Sequence, residues 1–159
     1  MAQELLYPSG DKSNPNPWLD DGDGSSNIYQ AIDEGTQTPN DTDYIHDNDD
    51  NSTYQTDLGN TSISDPEEVT LYVRAQQESG GKDRLLTAKL VIDGADVVIL
   101  SWSTAELNAG WNTKWGSGEG SWTSEQIDGA YIDFTSSSSG GGPARQVRVS
   151  ASAIIVEKH

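Results

Sequence analysis

The chain has 159 residues and a formal net charge of −17 at pH 7, from 26 acidic and 9 basic residues. This charge argues against nucleic acid as a partner, because binding it requires cations that neutralise phosphates. The absence of cysteine excludes disulfides, thiolate nucleophiles and cysteine zinc ligands. No apolar run approaches the length of a membrane span, and the first ten residues lack the basic and apolar regions of a signal peptide, so we expect a soluble chain without its own export signal.

The negative charge is concentrated in the N-terminal part of the chain. Residues 1–68 contain 16 acidic residues and one base, whereas residues 69–159 contain 10 acidic and 8 basic residues. The first part also has few large apolar residues, so it cannot form a core alone. The sequence therefore predicts an N-terminal arm and one domain, 18–159. That domain is divided into an acidic segment that wraps the sandwich or a neighbour (18–68) and a strand-rich body (69–159).

Short apolar groups separated by polar connectors make up the N-terminal part. Leu5, Leu6 and Tyr7 precede a proline-rich stretch, which predicts that residues 1–17 are an arm that docks on another subunit. Further along, four apolar residues are expected to press the acidic segment onto the sandwich: Trp18, Ile32, Tyr44 and Ile45.

From residue 69 onward, apolar and polar residues alternate with the period of half-buried β-strands. The first elements in chain order are a strand at 69–75, a turn at Gly80-Gly81, a strand at 86–92, a turn at Asp93-Gly94 and a strand at 97–102. The first strand has Thr70, Tyr72 and Arg74 on its polar face. The Asp-Gly pair between two alternating segments predicts a hairpin.

The rest of the body contains two further strands and little helix. The elements in order are a single helical turn at 104–108, another at 124–127, a strand at 130–134, a flexible loop at 136–142 and a strand at 146–156. In the last strand the alternation places Arg148, Ser150 and Ser152 outward, and it places inward Val147, Val149, Ala151, Ala153 and Ile155. Short strands with turn-rich connections predict an all-β protein, a jelly-roll-like β-sandwich.

Two acidic stretches have the composition of calcium loops, Asp20–Gly24 and Asp47–Asn51. An EF-hand register that starts at Asp23 has Ile28 where glycine is needed, and the second stretch has Leu58 where a bidentate glutamate is needed. We therefore expect solvated surface loops and neither metal nor cofactor, with an irregular calcium site as the alternative.

Four tryptophans lie close together in the body of the chain: Trp102, Trp111, Trp115 and Trp122. Trp102 continues the alternation of the strand before it, and we expect it to be buried. The other three lie among glycine, asparagine and serine, where an indole packs in a core, contacts another subunit or offers a flat surface to a sugar ring. We predict interface residues at these three positions, with a glycan-binding surface as the alternative.

Arg74, Arg145 and Arg148 are further interface candidates, because each lies opposite an apolar face, where it can meet the acidic segment or the acids of a neighbour. Catalysis is not expected. Cysteine is absent, His46 is the only internal histidine, and neither a nucleophile elbow nor a glycine-rich phosphate loop occurs. A pair of carboxylates is not informative in a chain with 26 acidic residues.

The order of several short motifs resembles a jelly-roll family of structural proteins of tailed bacteriophages. These motifs are Trp18, Ile28–Glu34, Asp41–Ile45, a strand that ends in Arg74-Ala75 and a final strand containing Arg145–Ser150. The resemblance implies a non-enzymatic virion β-sandwich. The chain has no collagen-like repeat or coiled-coil heptads, which favours a capsid decoration (cement) protein over a fibre.

That implied function makes the major capsid protein and further copies of this chain, in a homotrimer, the expected partners. The protein would lie on the outer surface of the virion after assembly in the host cytoplasm, where its acidity would keep it from binding released DNA. The alternative is a glycan-binding β-sandwich module of a phage tail or receptor-binding protein, and the tryptophan cluster is the argument for it.

Overall fold

Antiparallel β-strands make up most of the regular secondary structure of the protein, as the alternation of apolar and polar residues in the sequence predicts. The computed structural model describes residues 1–34, 39–48 and 52–159, without the side chain of Ser139. These residues form two antiparallel sheets that enclose one apolar core, so the predicted all-β sandwich is confirmed. In the described part of the chain, no helix is long and apolar enough to cross a membrane.

Each sheet combines strands from distant parts of the sequence. Sheet A consists, among the described residues, of β1 (Ala2–Leu6), β3 (Leu19–Asp20), β4 (Ile45–Asp47), β6 (Glu68–Gln77), β9 (Asn112–Glu119) and β11 (Val147–Lys158). Sheet B consists of β2 (Pro8–Ser13), β5 (Ser52–Leu58), β7 (Asp83–Ile92), β8 (Ala95–Trp102) and β10 (Tyr131–Ser139). The order in sheet A is β3-β4-β11-β6-β9, with β1 also paired to β11, and the order in sheet B is β2-β5-β10-β7-β8.

The short helices and the hairpin lie where the sequence predicts them. Helices α1 (Thr104–Asn108) and α2 (Ser124–Asp128) each begin with a capping box that satisfies their first backbone N–H groups. Asp93-Gly94 joins β7 to β8 with φ values of 51° and 78°, as a type I′ turn requires. A 3₁₀ helix at Ile28–Ile32 precedes β4.

Residues 1–17 do not form the predicted arm. β1 pairs with β11 from Ala2 opposite Lys158 to Leu6 opposite Ile154, and β2 pairs with β5. Leu6 is buried in the core, and Asp11 of β2 accepts a hydrogen bond from the Tyr54 hydroxyl at 2.7 Å. The side-chain pattern does not reveal these strands, because they extend the two sheets through backbone hydrogen bonds that need few apolar side chains.

The acidic segment at 18–68 adds strands to both sheets, including β5 between β2 and β10. Three of its four predicted anchors, Trp18, Ile32 and Ile45, are completely buried, while Tyr44 is half-buried. The segment is therefore held to the sandwich by a few apolar side chains and by strand pairing.

Strand β11 changes its side-chain alternation halfway along. A β-bulge between Val149 and Ala151 shifts its register against β6. Before the bulge Val147 and Val149 face the core as predicted, but beyond it Ile154 and Val156 do so. The inward orientation predicted for three residues is therefore wrong, since the bulge turns them to the outer face of sheet A: Ala151, Ala153 and Ile155.

Ser136 lies inside β10 rather than at the start of the predicted flexible loop, because β10 continues to pair with β7 as far as Ser139. The Ser136 hydroxyl donates a hydrogen bond to the carboxylate of Asp47. Asp47 of sheet A also forms an ion pair with Arg84 of sheet B, with 3.0 Å between Oδ2 and Nη2. This buried polar contact joins the two sheets inside the sandwich.

Candidate functional site

The outer face of sheet A brings together several of the predicted interface residues. Val69, Leu71 and Val73 of β6 point into the core, so Tyr72 and Arg74 point outward. Trp115 of β9 lies directly opposite Tyr72, and their ring centroids are 6.4 Å apart with 29° between the ring planes. The Trp115 side chain is 64% exposed, so one face of this aromatic pair is available to a ligand.

Small residues of β11 lie beside the aromatic pair. Ala153 is opposite Tyr72, and Ala151 is opposite Arg74. Both alanines are almost inaccessible to solvent although neither belongs to the core cluster, so neighbouring groups on the outer face cover them. On the far side of β11, Leu5 of β1 is opposite Ile155 and is partly exposed. The middle of β11 is therefore covered, and exposed apolar groups of this face lie on β9 and β1, at Trp115 and Leu5.

An ion pair lies beside the aromatic pair on this face. The Arg74 guanidinium donates two hydrogen bonds to Asp41, at 2.9 and 2.8 Å, and the Ser150 hydroxyl donates a third at 2.8 Å. The hydrogen bonds from Arg74 hold the pKa of the Asp41 carboxyl below its usual range, and the same contact raises the pKa of Arg74. Both charges are therefore fixed and mutually compensated beside the aromatic pair.

A second group of aromatic side chains lies towards the start of β11. The guanidinium carbon of Arg148 is 4.7 Å from the centroid of the Tyr44 ring, a cation–π contact. The ring of Tyr44 also lies against Trp111, with 6.2 Å between centroids and 50° between planes. Arg148 and Trp111 thus both contact Tyr44, and the indole and the phenol are each half-buried.

Other predicted interface residues lie away from this face. Leu6 is in the core, and Trp122 packs over Gly120 at the end of β9. Arg145 is buried, where it donates hydrogen bonds to the carbonyls of Lys82 and Glu78 and pairs with Asp83 at 3.1 Å. Tyr7 is 39% exposed directly after β1. Trp102 is buried as predicted, and its indole N–H donates to Asn112.

Tyr72 is the residue of the aromatic pair that the tryptophan pattern missed. The sequence suggested a glycan-binding surface from tryptophans alone, but Trp115 is the only tryptophan in the described part of the chain that is largely exposed. The signal for Tyr72 was its place on the polar face of the strand Val69–Ala75, since a large aromatic residue there is either exposed or covered by a neighbour.

The acidic stretches use their carboxylates within the protein. Oδ1 of Asp20 accepts hydrogen bonds from the backbone N–H groups of Gly22 and Gly24, at 3.0 and 2.8 Å. Asp23 lies 3.2 Å from the imidazole of His46. Asp47 belongs to the buried ion pair, while Asp49–Asn51 of the second predicted loop lie outside the described residues.

A third acidic group could coordinate a cation at the C-terminal end of sheet A. One ligand atom from each of Glu68, Glu157 and His159 lies within 4.8 Å of the others. The imidazole of His159 lies 2.8 Å from Glu68 Oε2, and its backbone N–H donates to Glu67. His159 and Glu68 are therefore paired with each other, while Glu157 accepts a hydrogen bond from the side-chain amide of Gln3.

Two carboxyl groups near the 3₁₀ helix, those of Glu34 and Asp43, have raised pKa values. Burial, followed by the hydrogen bond and the negative charge of Asp43, raises the pKa of Glu34 to about 7. Burial also raises the pKa of Asp43. Because the folded protein binds these protons more strongly than the unfolded chain does, this site makes folding less favourable as the pH rises from about 4.5 to about 7.

Glu34→Gln is therefore expected to increase the free energy of unfolding above about pH 7 and to change it little near pH 4. The substitution removes a carboxyl group that must lose its proton in a partly buried place. Urea unfolding of both proteins between these pH values measures the difference. Glu119→Gln, at an exposed position on β9, is the control. Identical pH profiles for Glu34→Gln and the unmodified protein would contradict the assignment.

Comparison with known proteins extends only to the fold. No protein-family model matches this chain, and no curated protein matches it significantly. Among solved structures, the C-terminal CBM6 of the laminarinase LamC from Zobellia galactanivorans is 12% identical, with a TM-score of 0.49 over 98% of this chain and 100% of that chain. A family 35 carbohydrate binding module from an environmental isolate is 14% identical, with a TM-score of 0.44 over 97% of this chain and 93% of that chain.

A viral protein has a similar degree of likeness. The structure of the infectious bursal disease virus Gx strain is 12% identical, with a TM-score of 0.45 over 99% of this chain and 32% of that chain. At such values the likeness carries neither a ligand nor a partner over to this chain. The chain is therefore similar in architecture to β-sandwich modules and to a viral chain, and its function has to be argued from its own surface.

Proposed function

We propose that the protein is a non-catalytic glycan-binding β-sandwich and that its binding face is the outer face of sheet A. The observation that carries the proposal is the Trp115 indole, 64% exposed and stacked on Tyr72. The C–H groups on the flat side of a pyranose ring pack on such an indole, and polar side chains at the border of the site bind its hydroxyls.

The charged neighbours of the aromatic pair offer polar contacts to such a ligand. Arg74 lies two residues from Tyr72 on the outer face of β6 and pairs with Asp41, and both side chains are partly exposed. A glycan that extends from Trp115 along β6 would contact the aromatic pair and the Arg74–Asp41 pair at the same time. The net charge of −17 opposes binding of anionic polymers, so neutral glycans are the expected class.

A glycan array that includes neutral and acidic oligosaccharides tests this proposal. We expect neutral glycans to be retained and the Trp115→Ala variant to lose them. An array without any bound glycan, or binding that does not depend on Trp115, would contradict the proposal.

A capsid decoration protein is the second candidate, and exposed aliphatic residues on the other sheet favour it. Ile99 is 56% exposed and Leu85 is 39% exposed, and both lie on the outer face of sheet B. In that function they would contact a neighbouring subunit or the major capsid protein on the outer surface of a virion. If the protein has this second function, light scattering after size exclusion should find a homotrimer, and Ile99→Asp should dissociate it. A monomer at all concentrations would contradict self-association.

A further inference from the structure

A polar cavity of about 490 Å³ lies at one end of the outer face of sheet A. It is bounded by the end of β6 and the residues that follow it, by the end of α1 and by the start of β11. Each described residue that lines it is polar or glycine, including Gln76, Glu78, Ser79, Asn108 and Arg148. The volume is within the usual range for small-molecule sites, but the lining is much more polar than usual.

Part of this lining is held in place by hydrogen bonds inside the protein. The Glu78 carboxylate accepts hydrogen bonds from the backbone N–H of Gln146 at 2.7 Å and from Arg148 at 3.2 Å. Asn108 accepts a hydrogen bond from the amide of Gln77. Among the described residues of the lining, the two charged side chains, Glu78 and Arg148, are thus paired with each other.

Other groups of the lining remain available. Among the described residues, the side-chain amide of Gln76 and the hydroxyl of Ser79 have no hydrogen-bond partner, and both residues are accessible to solvent. An amide donates and accepts, as does a hydroxyl. These neutral donors and acceptors are better suited to bind the hydroxyl groups of a sugar than to bind a carboxylate or a sulfate.

The cavity and the aromatic pair lie on the same face of the same strand. Gln76 and Tyr72 both point outward from β6, four residues or about 13 Å apart. Arg148 is opposite Gln76 on β11, as Ala153 is opposite Tyr72, and the Arg74–Asp41 pair lies between these two rows. One sugar ring cannot reach from Trp115 to Gln76, whereas an extended chain of sugars can.

We propose that this cavity is a second sugar subsite of the glycan-binding face, and that the ligand is an extended, neutral oligosaccharide of about three or more units. The proposal rests on the function proposed above. One sugar ring stacks on the Trp115–Tyr72 pair, the next passes Arg74, and a further ring places its hydroxyls against Gln76 and Ser79.

Titration calorimetry with cello-, xylo- and manno-oligosaccharides of one to six units tests the subsite. In at least one series, affinity is expected to rise up to three or four units. Gln76→Ala should then weaken the longer oligosaccharides about three- to tenfold, the effect of one net hydrogen bond, and leave the disaccharide unchanged. Gln55→Ala, the same substitution on the outer face of sheet B, is the matched control and should change neither.

The outcomes separate the subsite from the glycan-binding function itself. Affinity that is complete at two units, with no effect of Gln76→Ala, would overturn the subsite and leave a glycan site at Trp115. Failure of all three series to bind, together with a different neutral glycan that the array retains equally on the unmodified protein and on Gln76→Ala, would overturn the subsite and leave the glycan-binding function. Failure of the series and of the array would overturn both proposals.

Discussion

Asp47→Asn is expected to lower the free energy of unfolding by about 3–5 kcal/mol, because it removes a carboxylate that pairs with a buried guanidinium. The side chains of Arg84 and Asp47 are 0% and 1% exposed, and their charged atoms are 3.0 Å apart. Ser136 also donates its hydroxyl proton to Asp47. Since Asp47 lies in sheet A while Arg84 and Ser136 lie in sheet B, the substitution weakens the contact between the sheets.

Urea unfolding followed by the fluorescence of the buried tryptophans measures this loss. The matched control is Asp96→Asn, which removes the partner of Lys89 at 3.1 Å, where both side chains are more than a third exposed. That surface pair is expected to contribute no more than about 1 kcal/mol. Equal losses of unfolding free energy for the two substitutions would contradict the expectation that the buried pair contributes more than the surface pair.

A double variant, Asp47→Leu with Arg84→Met, tests the physical reason for the loss. If the cost of Asp47→Asn comes from the loss of a negative charge beside a buried guanidinium, replacing both charges by apolar side chains should recover much of the stability. A double variant that is less stable than Asp47→Asn would instead assign the stability to the attraction between the two charges and their hydrogen bonds.

Trp115→Ala is expected to weaken glycan binding by a factor of about 30 or more, the effect of removing a residue that dominates an interface. The free energy of unfolding should change by no more than about 0.5 kcal/mol, because the side chain is largely exposed. Trp115→Phe keeps a flat ring and should retain part of the affinity. Titration calorimetry with the best glycan from the array measures both variants.

The control for this substitution is Ile99→Ala, which removes a similarly exposed apolar side chain from the outer face of sheet B. Its glycan affinity should equal that of the unmodified protein. If Ile99→Ala weakens binding while Trp115→Ala does not, the binding face is on sheet B and the assignment to sheet A is wrong. The glycan affinity of Tyr72→Ala is expected to lie between those of Trp115→Ala and Ile99→Ala, because the Tyr72 ring stacks against the Trp115 indole and holds it in position.

The sequence predicted part of this site and none of its geometry. Trp115, Arg74 and Arg148 were recognised as residues in exposed or polar positions, and they lie on one face of sheet A. That β9 is next to β6, and that Trp115 therefore stacks on Tyr72, depends on the strand order of the sheet. Alternation tells which side of a strand is polar, but it does not tell which strands are neighbours.

The polar cavity could not have been predicted for a related reason. Gln76 and Ser79 follow a predicted strand, Asn108 ends a helical turn, and Arg148 belongs to the last strand of the chain. Nothing in the local pattern of any of them indicates that they line one space. Their proximity results from the pairing of β6 with β11 and from the packing of α1 beside β6.

By itself, the sequence determined the all-β class, the inner face of β6, the hairpin at Asp93-Gly94 and the capped helical turns, because each depends on side chains close together in the chain. Only the tertiary structure decided that residues 2–13 are strands rather than an arm, since their partners are β11 and β5. It also decided that Ala151 and Ala153 lie on the outer face of sheet A, because the bulge in β11 reverses the alternation there. Both features depend on backbone hydrogen bonds between distant segments of the chain, and the periodicity of the side chains does not reveal those hydrogen bonds.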